Sequence, residues 1–145
     1  GEGTDEKYLR TTFQNFKNVN FIKYQAHESS KIHSNFDIAV VPSIASEGTS
    51  LAVLEAMSAG CAVVATNVGG ITNIIIDNYN GLLANPEFKD LKQKILMLIK
   101  NKELRERLSL NAIQTIKFGF SYEIWKLRWI KVINDINNLD FNQDR

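Results

Sequence analysis

The sequence predicts an α/β domain in which helices cover both faces of a parallel sheet. Short apolar segments with strand character alternate along the chain with segments of helical periodicity. Two of the apolar segments, 38–41 and 62–65, contain no polar residue, which is typical of strands covered on both faces. The residues between them are enough for the helical crossover that two parallel strands require.

The first part of the chain is predicted to contain more helix than strand. Residues 5–16 show apolar side chains near i, i+4 spacing, which indicates an amphipathic helix. A short strand is expected at 19–22 and a short helix at 27–34, before the strand at 38–41.

In the middle of the chain, turn residues separate the predicted elements. A helix over 50–59 is expected to end at Gly60, a residue favoured just beyond helix ends. After the strand at 62–65, Gly69 and Gly70 form a sharp turn. A short helix near 72–76, a turn at 77–81 and a short strand at 82–83 follow.

The carboxyl-terminal region is predicted to be helical, with helices at 91–100, 103–116 and 122–136. Gly119 marks a break before Ser121. Tyr122, Trp125 and Trp129 form an apolar stripe on the last helix. Core packing is the expected role of this stripe, and packing across a domain boundary is the alternative.

Composition narrows the class of protein. The chain has 145 residues, enough for one domain with its own core. It is 44% hydrophobic and 23% charged, as in ordinary globular proteins. A net charge of +1, without basic runs, gives no basis for nucleic-acid binding. The single cysteine, Cys61, opens an apolar strand, so it is expected to be a small buried hydrophobe rather than a nucleophile.

Two glutamates are the candidate functional residues. Glu55 is the one charged residue in the otherwise mostly apolar segment 51–62, and a carboxylate buried there would need a partner. Glu47 lies eight residues earlier, beside a glycine and two hydroxyl residues that indicate a helix start. The alternative is that Glu55 faces solvent and Glu47 is an ordinary loop charge.

The predicted position of these glutamates favours a ligand. The loop that carries Glu47 follows a strand and precedes a helix, which places it at the carboxyl end of the sheet, where open α/β folds bind ligands. Free N–H groups and the dipole at a helix N-terminus favour an anion. Acceptors on either side of an anion site suit a nucleotide sugar, which has hydroxyls at both ends and phosphate between.

The order of motifs resembles the C-terminal half of retaining GT-B glycosyltransferases, known as family 4 or glycosyl transferases group 1. Glu47 and Glu55 are similar to the two glutamates of its E-x7-E motif. The other matching segments lie in family order: Gly1-Glu2-Gly3, 19–22, 36–43, Glu55-Ala56-Met57, Gly60, Val64-Ala65-Thr66, Gly69-Gly70 and Gly81-Leu82-Leu83.

The resemblance implies a Rossmann-like parallel sheet with helices on both faces. It also implies that residues 1–145 are a nucleotide-sugar-binding domain cut from a longer two-domain chain. An acceptor-binding N-terminal domain, the start of this domain and a basic pair that clamps the donor phosphates would then precede Gly1. We expect the chain on its own not to transfer sugar.

Roles for individual residues follow from the resemblance. Glu47 would be the catalytic residue, orienting the hexose and stabilising positive charge at the anomeric carbon. Glu55 would accept hydrogen bonds from the ribose hydroxyls. Backbone N–H groups would hold sugar hydroxyls and the diphosphate at four donor-binding residues: Gly48, Thr49, Ser50 and Leu51.

The nucleobase would lie near Lys23-Tyr24-Gln25, with backbone contacts around Tyr24; plain packing of Tyr24 is an equal alternative. The chain departs from the family pattern at three positions. Lys23 replaces a usual glycine, Asn73 a frequent glutamate and Thr49 a common aromatic residue.

The implied function is transfer of a hexose from a nucleotide diphosphate sugar, with a UDP-sugar expected, to a glycan, lipid or small-molecule acceptor. No cofactor and no metal is implied, because N–H groups and basic side chains would neutralise the leaving diphosphate. The expected location is cytoplasmic, with peripheral binding of the full-length protein to the membrane as an option. The alternatives are a non-catalytic nucleotide-sugar-binding module and a GT-B epimerase or phosphorylase.

Overall fold

Three parallel strands form one sheet in the computed structural model, which describes residues 3–45 and 47–138. In chain order and in sheet order they are β1 Ile38–Val41, β2 Ala62–Thr66 and β3 Leu82–Ala84. The predicted parallel α/β architecture is therefore confirmed. Gly1 and Glu2 of the Gly-x-Gly resemblance lie outside the described residues, as do residues 139–145.

Helices surround this sheet. The α-helices of the described residues are α1 Glu6–Phe13, α2 Ser29–His33, α3 Leu51–Ser58, α4 Phe88–Lys100, α5 Lys102–Thr115 and α6 Tyr122–Asn137. Short 3-10 helices occupy Ala26–Glu28 and Gly69–Asn73, and a π-helical turn at Ile116–Phe120 joins α5 to α6. Helix α4 begins three residues before its predicted start, and the short helix expected near 72–76 begins at Gly69. Within the described ranges no helix has the length and apolarity needed to cross a membrane.

The predicted strand at 19–22 is wrong. No strand of the described residues pairs with this segment, and a strand is stable only when its backbone groups bond to a neighbour. The segment instead lies beside α1, where the guanidinium of Arg10 sits 4.7 Å from the centre of the Phe21 ring. Its apolar residues reflect these local contacts rather than a position in the sheet.

Helices cover both faces of the sheet because β2 alternates its side chains between two cores. On one face, β2 packs against α3 through Val63, Ala65, Val53, Ala56 and Met57. On the other face, Ala62 and Val64 pack against Leu98 of α4 and Leu108 of α5. Every residue of β2 is buried, which explains why residues 62–65 form a continuous apolar run before Thr66.

Helix α3 ends where the sequence predicted. Gly60 has a φ of +85°, a left-handed conformation that favours glycine. The N–H of Gly60 donates to Met57 and that of Cys61 donates to Ala56, which is the hydrogen-bond pattern of a Schellman motif. The helix ends at this motif, and β2 begins two residues after Gly60.

Helix α6 does not join the core. It contributes no buried residue, and Trp125 and Trp129 are each about half exposed. The core-packing role predicted for this stripe is therefore wrong, because no described element covers α6 on that side. Ser121 begins the helix by accepting a hydrogen bond from the N–H of Ile124 at 3.3 Å, as the break near Gly119 predicted.

Replacing Met57 by alanine should lower the free energy of unfolding by about 2–5 kcal/mol, because its fully buried side chain fills the core between α3 and β2. Met97→Ala is the matched control. Met97 lies on α4 with 40% of its surface exposed, so its truncation should change stability by ~0.5 kcal/mol or less. Urea denaturation of the two variants measures both values. Equal losses would contradict the assigned core.

Candidate functional site

The segments that follow β1 and β2 meet at the carboxyl edge of the sheet. The first runs through Ser43 to Glu47 and enters α3 at Leu51, and the second runs to Gly69 and Gly70. The N–H of Gly70 donates to the carbonyl oxygen of Glu47 at 2.8 Å. The parallel pairing of the two strands thus brings together residues that are more than twenty positions apart in sequence.

Gly69 and Gly70 are required by this close approach. Gly69 has a φ of +49°, and a Cβ atom there would lie 2.7 Å from the nitrogen of Glu47. A Cβ atom on Gly70 would lie 2.9 Å from the carbonyl carbon of Gly48. Both distances are too short for a side chain. The absence of side chains at the glycine pair therefore allows the turn to contact the Glu47–Gly48 backbone, and this contact fixes the position of that backbone.

The carboxylate of Glu47 is held by the chain itself. Ser43 donates its hydroxyl hydrogen to Glu47 Oε2 at 2.7 Å, and Glu47 is half-buried. The carbonyl oxygen of Ser43 in turn accepts a hydrogen bond of 2.5 Å from the buried hydroxyl of Thr66 at the end of β2. A continuous path of hydrogen bonds therefore runs from the core strand to the carboxylate.

Neither Ser43 nor Thr66 is among the site residues that the sequence predicts. One signal could have found them: Thr66 is the last residue of β2 and Ser43 lies two residues beyond β1. Polar side chains that end adjacent parallel strands meet at the same sheet edge.

The start of α3 presents a row of free donors. The N–H groups of residues 48 to 53 donate to no acceptor in the described part of the chain. Ser50 occupies the position before the helix, where a serine hydroxyl normally accepts a hydrogen bond from the backbone two or three residues later. Its side chain makes no such bond. Only 1% of Ser50 is exposed, and its Oγ has no partner among the described residues.

Such a donor row is suited to an anion. A helix N-terminus carries a partial positive charge, and unpaired N–H groups bind phosphate or carboxylate oxygens. Leaving a buried hydroxyl unsatisfied costs about 1–3 kcal/mol, so an acceptor that reaches Ser50 would recover this energy. The predicted donor-binding residues Gly48, Thr49, Ser50 and Leu51 all belong to this row.

Space for a ligand exists beside this row. Gly48 and Thr49 are exposed, and 68% of Leu51 is exposed although it is a large apolar residue. Apart from its two chain neighbours, no atom of the described residues lies within 4 Å of the place a Cβ of Gly48 would take. The packing of the protein therefore gives no reason for glycine at this position, whereas a ligand against the backbone would.

Glu55 lies on the exposed side of α3, on the same side as Leu51 and Ser58, while the opposite side of the helix enters the core. It is half-buried, so the deep burial expected from its apolar neighbours is not observed. Its carboxylate has no hydrogen-bond or ion-pair partner among the described residues. With a rise of ~1.5 Å per residue, Glu55 lies about 7–8 Å beyond Ser50 along the helix.

Tyr24 lines a groove of about 350 Å³ together with Ala52 and Ala56 of α3. Its hydroxyl lies 3.3 Å from Nε2 of His33, and the two rings meet edge to face. Tyr24 is thus placed beside the helix that carries Glu55, while its own side chain is engaged in packing against α2.

Cys61 lies at the opposite edge of the sheet, immediately before β2. Its Sγ donates to the carbonyl oxygens of His33 and Phe36, each at 3.3 Å. Burial raises the pKa of the Cys61 thiol, and the negative charge of Asp37 raises it further. The thiol therefore stays protonated near neutral pH, which agrees with a buried hydrophobe rather than a nucleophile.

Comparison with known proteins identifies the family. The profile of the family described as "Glycosyl transferases group 1" matches residues 1–115. The chain belongs to this family. An uncharacterized glycosyltransferase of Methanocaldococcus jannaschii is 45% identical over 102 residues, which are 68% of this chain and 28% of that protein.

Solved structures of glycosyltransferases share the fold. A point mutant of TarM of Staphylococcus aureus, in complex with Fondaparinux, alpha-GlcNAc-glycerol and UDP, matches 92% of this chain with a TM-score of 0.75 and 28% identity. HepE of Anabaena, in complex with UDP-glucose, matches 89% with a TM-score of 0.80 and 22% identity. The chain spans 28% of the TarM chain and 36% of the HepE chain. These matches confirm the predicted GT-B-type, Rossmann-like fold of a glycosyltransferase C-terminal domain.

Replacing Gly70 by alanine should destabilise this glycosyltransferase domain by about 1–3 kcal/mol, because the added Cβ would collide with the Gly48 backbone. Gly48→Ala makes the same chemical change in open space, so it should alter stability by ~0.5 kcal/mol or less. Urea denaturation monitored by circular dichroism compares the two variants. A Gly70→Ala protein as stable as Gly48→Ala would show that the turn does not brace the Glu47 loop.

Proposed function

We propose that this chain is the donor-binding half of a two-domain retaining glycosyltransferase that transfers a hexose from a UDP-sugar to an acceptor. The observation that carries the proposal is the free donor row at the start of α3, bounded by a fixed carboxylate at Glu47 and an unpartnered one at Glu55. This arrangement supplies hydrogen-bond donors at its centre and acceptors at both ends.

The diphosphate is assigned to the donor row. Its oxygens would accept hydrogen bonds from the N–H groups of Gly48, Thr49, Ser50 and Leu51 and from the hydroxyl of Ser50. When the bond between sugar and diphosphate breaks, negative charge grows on the leaving group. Donors that are already oriented stabilise that charge without reorganising, which lowers the barrier.

Glu47 is assigned to the hexose. Its backbone is braced by the Gly69–Gly70 turn and its carboxylate by Ser43, so its position is set before the donor arrives. A fixed negative charge beside the anomeric carbon would stabilise the positive charge that develops there in the transition state. Ser43 contributes by holding the carboxylate rather than by touching the sugar.

Glu55 is assigned to the ribose. It stands about 7–8 Å beyond Ser50 along the helix axis, which matches the span from diphosphate to ribose. The nucleobase would then reach the groove lined by Tyr24, Ala52 and Ala56. Because the Tyr24 ring packs against His33, backbone atoms near Tyr24 are the better candidates for base contacts.

The family membership and two structural neighbours support this assignment. TarM and HepE were crystallised with UDP and UDP-glucose respectively, and both share this fold. Since the chain spans about a third of those proteins, an acceptor-binding N-terminal domain is part of the proposal. A glycan, lipid or small molecule would be bound there.

In the full-length protein, Glu55→Ala should weaken UDP binding by about 10- to 150-fold, because hydrogen bonds from ribose hydroxyls to a carboxylate would be lost. Titration calorimetry with UDP measures the affinity. Glu103→Ala removes an exposed carboxylate from the first turn of α5 and should leave the affinity unchanged. Equal UDP affinities for wild type and Glu55→Ala would show that Glu55 is a solvent-facing residue that does not contact UDP.

Glu47→Ala in the full-length protein should lower the transfer rate by about 100-fold and leave UDP affinity nearly unchanged, because its charge acts mainly in the transition state. Ser43→Ala should give a smaller loss, and Ser58→Ala, which removes an exposed hydroxyl from α3, should give none. Steady-state transfer from a UDP-sugar gives the rates.

Two outcomes would reject this role. If Glu47→Ala transfers sugar at the wild-type rate, Glu47 is not catalytic. If the wild-type protein binds UDP-sugars but transfers to no acceptor, the non-catalytic binding module replaces the enzyme.

A further inference from the structure

Helix α4 exposes an apolar surface that the core does not use. Its inner side packs on the sheet through Leu91, Ile95 and Leu98. Its outer side consists of two adjoining rows of residues at i+4 and i+3 spacing, and we term these two rows the outer face of α4. The first row is Phe88, Lys92, Leu96 and Ile99. The second row is Lys89, Gln93, Met97 and Lys100. A surface helix normally carries polar residues on its outer side, so half of this face departs from the expected pattern.

The apolar residues of this face are open to solvent. Phe88 is 80% exposed and Ile99 is 58% exposed, while Leu96 and Met97 are exposed to a lesser extent. Leu96 and Met97 border a shallow groove with the three lysines of the face. No described element packs over these side chains, so their exposure calls for a partner.

The charged residues of the outer face are all lysines, so its charge is positive. Lys89, Lys92 and Lys100 lie among the apolar residues, and the ammonium of Lys92 lies 5.8 Å from the centre of the Phe88 ring. Neither row contains an acidic residue. Asp90 lies outside the rows, where its carboxylate accepts a hydrogen bond from the N–H of Asn85. Glu87 precedes the helix.

We propose that the outer face of α4 binds the surface of a membrane that contains anionic lipids. Phenylalanine and aliphatic side chains enter the boundary between headgroups and acyl chains, while lysine stems extend along it and place their ammonium groups at the phosphates. The observed mixture of lysines and apolar residues fits that boundary. A protein partner fits less well, because lysine is depleted from the buried centres of protein interfaces.

Helix α6 exposes a larger apolar stripe, but its charge pattern differs. The guanidinium of Arg128 donates to the carbonyl oxygen of Gly119, so this cation is engaged with the protein. Lys131 stands on the side of the helix away from Trp125 and Trp129, as their spacing along α6 requires. Lys126, four residues after Tyr122 and three before Trp129, is the one lysine that lies beside this stripe, whereas the outer face of α4 carries three lysines.

The inference does not rest on the proposed donor site. The outer face of α4 belongs to the helix that follows β3, whereas the donor site is built from the start of α3 and the loops after β1 and β2. A variant on α4 can therefore be tested for lipid binding with no assumption about sugar transfer.

Vesicle sedimentation with this chain tests the inference. We expect binding to vesicles of phosphatidylcholine mixed with phosphatidylglycerol, little binding to phosphatidylcholine alone, and weakening as salt is added. Lys89→Glu combined with Lys92→Glu should lower the fraction bound to mixed vesicles by about 10-fold or more, since each lysine near an anionic surface contributes to the affinity. Phe88→Ser should also lower it.

Ile76→Ser and Lys31→Glu are the matched controls, because both residues are exposed and lie on other elements. They should bind as the wild type does, and thermal unfolding should show that all variants remain folded. Three results would overturn the inference. The wild type fails to bind mixed vesicles, or the α4 variants bind as the wild type does, or Phe88→Ser converts a dimer into a monomer, which would assign the face to a second copy of the chain.

Discussion

The parallel pairing of β1 with β2 is the constraint on which the candidate site depends. It aligns Val41 with Ala65, so the loops that leave both strands emerge at the same edge. Burial of β2 on both faces fixes the pair, because a shift in register would break two packed cores at once. The Gly69–Gly70 turn then contacts the Glu47 backbone, and the loop that contains Glu47 leads directly into α3.

Helix α3 reconciles two opposing requirements. Val53 and Met57 are buried to cover the sheet, while the first N–H groups stay free, as the proposed donor site requires. An ordinary serine cap at Ser50 would have satisfied one of those donors and its own hydroxyl. The unpaired Oγ of Ser50 lowers stability, and the Schellman motif at Gly60 and the core contacts offset that loss. Local instability at the proposed binding end is typical of functional sites.

Sequence reasoning recovered the elements that local patterns determine. The strand at Ile38–Val41 and the stop at Gly60 were predicted because apolar runs and glycine act over a few residues. It failed at 19–22 because a strand forms only beside a neighbouring strand. The residues of the segment do not indicate whether such a strand is present. The path from Thr66 through Ser43 to Glu47 was missed for the same reason: it joins residues more than twenty positions apart.

The two glutamates of the site differ in how far the protein fixes them, and this difference agrees with their proposed roles. Glu47 is anchored through both its backbone and its carboxylate. Glu55 is free at its carboxylate and half exposed. Catalysis rewards groups that are oriented before charge develops, whereas a contact to an unreactive part of the ligand can form on binding with only the entropy of one side chain lost. Glu47, the glutamate that the protein holds more firmly, is therefore the one assigned to the reacting sugar.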